Sequence, residues 1–210
     1  QTFHKKCEKY FVKQFYFNDE TDKPDKYKSL FNGKIWIVKP VYDFGGNNIK
    51  LITDYNDFVE HVKKDDKWVI SEYIHNPLLT KTKKKFHIRV FLLISITDKI
   101  NGYIIKRMPI FTAKKKFTLK NLDLDIHNTH FKDSEKGLFM DSYFAKNYGK
   151  DNETKIYQQM IKLFSKIIQL KDLKCDSKHC FEIFGADIMI TDNFRIKLLE
   201  INDRIALKLS

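Results

Sequence analysis

Three oxygen-bearing side chains near the end of the chain stand at a spacing that could hold a hard cation: Asp187, Glu200 and Asn202. They lie in FEIFGADIMITDNFRIKLLEIND, where Phe181–Thr191 and Arg195–Ile201 are β-rich runs flanking the turn residues Asp192 and Asn193. This pattern predicts a β-hairpin. Pairing across that turn sets Asp187 opposite Leu198, with Glu200 as its diagonal neighbour and Asn202 on the same face, because side chains alternate along a strand. Diagonal neighbours stand roughly 7–8 Å apart at the backbone, which leaves room for a cation bound through oxygens at about 2.0–2.1 Å. Two carboxylates and an amide, with no Cys or His, suit Mg²⁺ or Mn²⁺ better than zinc. The same three residues would also make the solvated polar face of an edge hairpin.

A second group of residues could handle phosphate. The strand Lys34–Lys39 (KIWIVK) delivers Lys39 into Pro40-Val-Tyr-Asp-Phe-Gly-Gly-Asn-Asn-Ile49, and another strand follows at Ile49–Ile52. Loop amides that cradle phosphate oxygens need close backbone approach and positive φ, which Gly and Asn accept. Gly-Gly-Asn-Asn is equally able to make an ordinary hairpin turn. Further on, a lysine cluster at Lys81–Lys85 leads into Phe86–Ser95 (FHIRVFLLIS). There Phe86, Ile88, Val90, Leu92 and Ile94 share one face, and His87 and Arg89 point to the other.

The elements that must position these groups follow from local pattern. Asp54–Lys64 has apolar residues at Tyr55, Phe58, Val59 and Val62, a helical spacing with Thr53 or Asp54 as N-cap. Trp68–Ile74 (WVISEYI) reads as a buried strand and Gly102–Met108 (GYIIKRM) as another. Glu153–Leu170 is an amphipathic helix with Ile156, Met160, Leu163, Phe164 and Ile167 inward, expected to pack on the sheet that carries the hairpin. Lys114–Lys116 reads as a solvated loop, and residues 1–34 show turns but no chemistry.

Composition bounds the possibilities. A chain of 210 residues can bury one substantial core or two small lobes, and 42% hydrophobic content with 18 Phe and 10 Tyr excludes a disordered chain. A formal net charge of +12 predicts an acidic partner: nucleic acid, an acidic protein tail or an anionic membrane. The positive charge is spread along the chain with no nucleic-acid motif beside it, which argues against nucleic acid. The longest apolar run, Val90–Ile96, is far too short to span a bilayer. Three cysteines, Cys7, Cys175 and Cys180, with no signal peptide, fit a reducing cytosol. The Cys175–His179–Cys180 spacing matches no standard zinc pair. Both ends of the sequence look cut from something longer.

Taken in order, these segments resemble the tubulin–tyrosine ligase-like family of ATP-grasp amino-acid ligases. The hairpin is similar to that family's F-E-x-x-G-x-D-x-x-x-D-x-x-x-x-x-x-L-E-x-N pattern, and the similarity runs from about Trp36 to Asn202. It implies an α/β (α+β) ATP-grasp fold, with mixed or antiparallel sheets, flanking helices and the nucleotide between two subdomains, about residues 1–74 and about 75–210 of a single catalytic core. Lys39 would contact phosphate, and Gly46 and Asn48 stand where the family has G-x-G-I, with Asn48 replacing the second glycine. Glu72, Tyr73 and Ile74 would recognise adenine through their backbone. Lys85 and His87 fall in the K-F-D-x-R segment, where His87 replaces the usual aspartate and a neutral imidazole cannot take over as an Mg²⁺ ligand. Arg89 and Arg107 would stabilise anionic intermediates, and Asn128 survives from the family's L-T-N at Ile126-His127-Asn128. Asp187, Glu200 and Asn202 become the ligands of the Mg²⁺ or Mn²⁺ that accompanies ATP. The implied reaction is addition of tyrosine, glutamate or glycine to an acidic protein tail, the tubulin C-terminus first, through an acylphosphate. The implied setting is cytoplasmic, on or near microtubules, with no membrane partner. A ligase for another acidic protein, a degenerate ATP-binding member without turnover, and a basic nucleic-acid-binding protein stay open as alternatives.

Overall fold

A computed structural model of the chain describes residues 8–18, 20–42, 48–62, 67–129, 137–169 and 179–203. The first sheet is built from β1 (Gln14–Asn18), β2 (Trp36–Pro40), β3 (Lys50–Ile52) and β4 (Lys67–Glu72), in the order β1-β4-β2-β3 with antiparallel pairing throughout. Alternation divides each strand cleanly. Phe17, Trp36, Val38, Trp68 and Ile70 are buried on one face with Tyr27, Phe31 and Phe58. Phe58 comes from α1 (Tyr55–His61), whose N-cap Asp54 accepts hydrogen bonds from the amides of Asn56 and Asp57, as a carboxylate at that position should. The opposite face presents Gln14, Ile37, Lys39 and Ser71 to a cleft.

The second sheet carries β5 (Lys84–Ile96), β6 (Ile100–Ile104), β7 (Ile110–Lys116), β8 (Cys180–Ile190) and β9 (Ile196–Asn202). Its order is β6-β5-β8-β9, and β7 pairs with the first part of β5. Three helices follow β7: α2 (Leu124–His127), α3 (Met140–Tyr148) and α4 (Lys150–Ile168). Gly149 joins the last two at φ 88° and ψ 150°, a backbone conformation that residues with a Cβ rarely adopt. The apolar stripe of α4, Ile156, Met160, Leu163 and Phe164, packs in one buried cluster with Ile88, Val90 and Leu92 of β5 and Ile188, Ile190, Ile196 and Leu198 of the hairpin. This is the packing that periodicity predicted. It leaves His87, Arg89 and Asp187 together on the other face of the sheet, since Arg89 pairs directly with Asp187 in the ladder.

Four expectations need correction. Asp187 does not oppose Leu198. The loop closes with Thr191 N–H donating to Arg195 O (2.9 Å) and with Phe194 at φ 58°, so Ile188 opposes Leu198. A bulge at Leu199 then sets Asp187 directly opposite Glu200 and Gly185 opposite Asn202. The strand expected over Gly102–Met108 ends at Ile104, because the chain leaves β5 after Ile105 N–H bonds Phe91 O (3.0 Å) and turns through Pro109 into β7. Arg107 therefore lies in a connection. Lys114–Lys116 close β7 instead of forming a loop, with Lys115 bridged to Asp123 and Asp125 at 2.6 and 3.2 Å. Cys180, expected as a free thiol in a reducing setting, is disulfide-bonded. Among the described residues no helix is long and apolar enough to cross a membrane.

Candidate functional site

The cleft between the two sheets has a volume of about 100 Å³. Lys39 of β2 and Glu72 and Ile74 at the end of β4 line it from one side; Lys85, Asp187 and Glu200 line it from the other, with Asn128 and Thr129 closing the edge. Half of the fourteen residues singled out from the sequence thus line one cleft, although they come from six separate stretches of chain.

The carboxylates are held by cations. Asp187 is completely buried, and the Arg89 guanidinium grips it in a fork: Nε donates to Oδ1 and Nη2 to Oδ2, the latter at 2.8 Å. Burial pulls the Arg89 pKa down, but the hydrogen bonds and charge of Asp187 outweigh it and the pKa ends raised, so the guanidinium stays charged. Lys39 Nζ crosses the cleft to Glu200 Oε2, and Asn202 Nδ2 donates to Glu200 Oε1 at 3.1 Å. The first sheet thereby touches the metal-candidate hairpin of the second.

Among the described residues no group of three or more His, Cys, Asp and Glu could enclose a metal ion. Asp187 and Glu200 on one face, with the Asn202 amide bonded to Glu200, make a two-carboxylate oxygen set. Such a set fits Mg²⁺, which keeps waters and is commonly held by one or two carboxylates together with substrate phosphates. It does not fit an all-protein cage. His87 supplies no further carboxylate: fully buried, its ring stacks on Phe111 (5.1 Å between centroids), its Nδ1 meets Thr129 Oγ1 at 2.6 Å and its Nε2 lies 3.7 Å from Asp187 Oδ1.

Lys85 is the other cation in the cleft. It is fully buried, and burial pushes its ammonium pKa down to about 7. Its Nζ lies 3.3 Å from Tyr73 Oη and 4.3 Å from the centroid of that ring. Tyr73 in turn meets His127 Nδ1 at 2.6 Å, and His127 Nε2 meets the Asn121 carbonyl at 2.7 Å.

Other expected residues are placed differently. Glu72 N–H donates to Lys13 O (2.8 Å) and Tyr73 N–H to Ile35 O (3.2 Å), so two of the three backbone donors expected to read adenine are engaged in sheet-like bonds. The Tyr73 side chain is buried against Lys85 and His127 and does not line the cleft. Arg107 is not among the cleft-lining residues and stacks over Phe139, 4.3 Å from the ring centroid. Asn48 has φ 52°, the left-handed conformation a glycine would supply, and its carbonyl lies 3.2 Å from His61 Nε2. Gly46 lies outside the described residues.

With this geometry in hand, sequence comparison is decisive. The profile of the Tubulin-tyrosine ligase family matches residues 1–204. The chain belongs to that family. Among curated relatives of this tubulin-tyrosine ligase family member, the probable tubulin polyglutamylase ttll-9 of Caenorhabditis elegans is 25% identical over 199 residues, covering 85% of this chain and 48% of the relative. Tubulin glycylase 3C of Tetrahymena thermophila is 31% identical over 205 residues, covering 84% of this chain and 18% of the relative. The chain thus spans about half of the first protein and less than a fifth of the second. Among solved structures, the C-terminal domain of K. lactis Pby1, an ATP-grasp enzyme interacting with the mRNA decapping enzyme Dcp2, superposes with a TM-score of 0.67 at 21% identity, covering 100% of this chain and 64% of that one. The fold is ATP-grasp, as the hairpin and segment order led us to expect.

Sequence reasoning missed several residues of this family member's cleft. Gln14 and Ser71, joined at 3.1 Å, line it from β1 and β4, yet the first 34 residues carried no motif. Leu199 lines it through the bulge, and Thr129 by holding His87. His127 also lines it, and no motif match marks that residue in the sequence beside Asn128.

Proposed function

We propose that this chain is the core of an ATP-dependent ligase that joins an amino acid to an acidic protein tail, tubulin being the first candidate acceptor, through an acylphosphate. One observation carries this reading: Lys39 of the first sheet faces Lys85 and the Asp187–Glu200 hairpin of the second across one cleft. Family membership and the ATP-grasp fold supply its context.

Carboxylate and amine do not condense at neutral pH, because carboxylate oxygen is a poor leaving group; phosphorylation by the ATP γ-phosphoryl group supplies a good one. Asp187, Glu200 and Asn202 would hold Mg²⁺ or Mn²⁺, which when bound neutralises phosphate charge and orients the transfer. Lys39 and Lys85 place positive charge where the phosphates lie. Ile74, with Glu72 beside it, forms the wall against which adenine rests. Arg89, fixed by its fork to Asp187, keeps a preorganised cation beside the anionic reacting centre, the arrangement that stabilises a developing oxyanion at least reorganisation. Asn128 at the cleft edge offers an amide to the co-substrate. The net charge of +12 favours a glutamate-rich acceptor, and the curated relatives point to glutamate or glycine as the amino acid added. We keep the two subdomains divided near residue 74, a reading supported by the gap between β4 and β5. A cytoplasmic setting goes with the tubulin reading.

A second reading rests on a specific contact. Asp187 already accepts both bonds of the Arg89 fork, and His87 stands where the family pattern has a carboxylate; a member of this kind could bind nucleotide without turning it over. Incubating the protein with ATP, Mg²⁺ and tubulin, with tyrosine, glutamate or glycine in turn, and weighing the products separates the two. A mass increase in tubulin with one amino acid is the expected result. ATP binding with no product in any mixture selects the second reading.

A further inference from the structure

The bonds from Lys85 through Tyr73 to His127 have a fixed direction, because they end on a backbone carbonyl. Asn121 O can only accept, so His127 Nε2 must carry the proton that bridges their 2.7 Å. In the neutral ring Nδ1 is then an acceptor, and the Tyr73 hydroxyl 2.6 Å away donates to it. That leaves the lone pairs of Tyr73 Oη for Lys85 Nζ at 3.3 Å. All three side chains are buried, Lys85 and Tyr73 to within 2% and His127 to within 5% of complete.

We infer that His127 is a positioning residue for the phosphate-side lysine: through Tyr73 it presents a lone pair to Lys85 and holds the ammonium against the cleft. This rests on the nucleotide-binding reading above and deepens it. Among the described residues the contacts of Lys85 Nζ are a neutral oxygen and a ring face, both from Tyr73. If His127 loses its acceptor atom, the Tyr73 proton has no partner there and turns toward Lys85, where it stabilises the neutral amine. A protonated His127 would do similar harm, since Nδ1–H would then compete with Lys85 for the same oxygen.

The surroundings favour a neutral ring. Burial lowers the His127 pKa, the Asn121 bond opposes this, and the Lys85 charge lowers it further while Asp123 raises it. Among the described residues, further titratable groups near the relay are His75, whose ring meets Tyr73 edge-on at 5.4 Å, and, around the cleft, Lys39, Glu72, Asp187 and Glu200.

The test compares wild type with His127→Leu, Tyr73→Phe and His127→Gln, the last keeping one donor and one acceptor. In ligand-free protein, the Lys85 side-chain nitrogen is titrated by NMR. Separately, the ATP·Mg²⁺ dissociation constant is measured by calorimetry at pH 6, 7 and 8. We expect His127→Leu to lower the Lys85 titration midpoint and to weaken ATP binding at pH 8 by about threefold to tenfold, the worth of one hydrogen bond, with a smaller loss at pH 6. His127→Gln should restore both, and Tyr73→Phe combined with His127→Leu should add nothing to Tyr73→Phe alone. A Lys85 midpoint unchanged in all variants overturns the inference even if ATP binds normally. A shifted midpoint in a protein that never binds ATP leaves the relay standing and removes the function proposed for the cleft. Should His127→Leu fail to fold, Tyr73→Phe, which removes one oxygen, decides alone on the same two measurements.

Discussion

Asp187 and Glu200 face each other across the β8–β9 ladder because Leu199 is an extra residue in β9. Leu198 is buried in the core beneath the sheet, and strict alternation would send Glu200, two residues on, to that same face. The bulge reverses the parity, which is a recurrent use of bulges near active sites. Without it the hairpin would offer one carboxylate to the cleft and bury the other among Ile188, Met160 and Phe164.

Glu200→Gln should therefore remove chemistry and leave the fold alone. The substitution keeps shape and the Asn202 contact but loses the charge that faces Lys39. That ion pair is part-exposed, with side-chain exposures of 26% and 28%, so stability should change by less than about 1 kcal/mol. ATP turnover, read as ADP release, should fall by about a hundredfold or more. Turnover at the wild-type rate would remove Glu200 from the site.

Asp187→Asn should behave in the opposite way on stability. Its carboxylate is fully buried and accepts both bonds of the Arg89 fork. Removing the charge strands a largely buried guanidinium, a loss of about 3 kcal/mol. Urea unfolding at pH 7 measures it. A loss below about 1 kcal/mol would mean that Arg89 finds another partner.

His87→Asp restores the family pattern but also opens space beside Phe111 and places a second carboxylate next to buried Asp187. In chelator the variant should melt about 5–10 °C below wild type. Millimolar Mg²⁺ should recover part of that difference, because a divalent cation relieves the repulsion, while wild type should respond less. Equal Mg²⁺ responses in the two proteins would show that the new carboxylate does not reach the cation site.

The depressed Lys85 pKa, about 7 against an ordinary 10.5, gives folding a pH dependence of definite sign. Between those values the unfolded chain keeps a proton that the folded chain has released. Stability should then rise with pH through that window, by up to about 1.4 kcal/mol per pH unit. Below pH 7 both states are charged and the burial cost is fully present. Lys85→Met should abolish this slope and be the more stable protein at pH 7; parallel slopes for the two proteins in urea unfolding from pH 6.5 to 10 would contradict the assignment.

Local periodicity settled a large part of this protein by itself. The buried face of β5 from Phe86 to Ile94, the α4 stripe, the Asp54 cap and the position of the β8–β9 hairpin all come from residues within a few positions of one another, where backbone geometry and burial act directly on the sequence. The resemblance of the segments, in order, to the tubulin–tyrosine ligase-like family then implied the ATP-grasp fold. Tertiary structure decided the rest. Lys39 meets Glu200 across 161 residues, Arg89 meets Asp187 across 98, and Tyr73 meets His127 across 54. No local pattern encodes such pairings, because they depend on where two separately folded sheets bring their faces together. The Leu199 bulge is the sharpest instance. Period-two alternation reads LLEIN as an unbroken strand, and only the competing demands of the core for Leu198 and the cleft for Glu200 show that one residue must stand out of register.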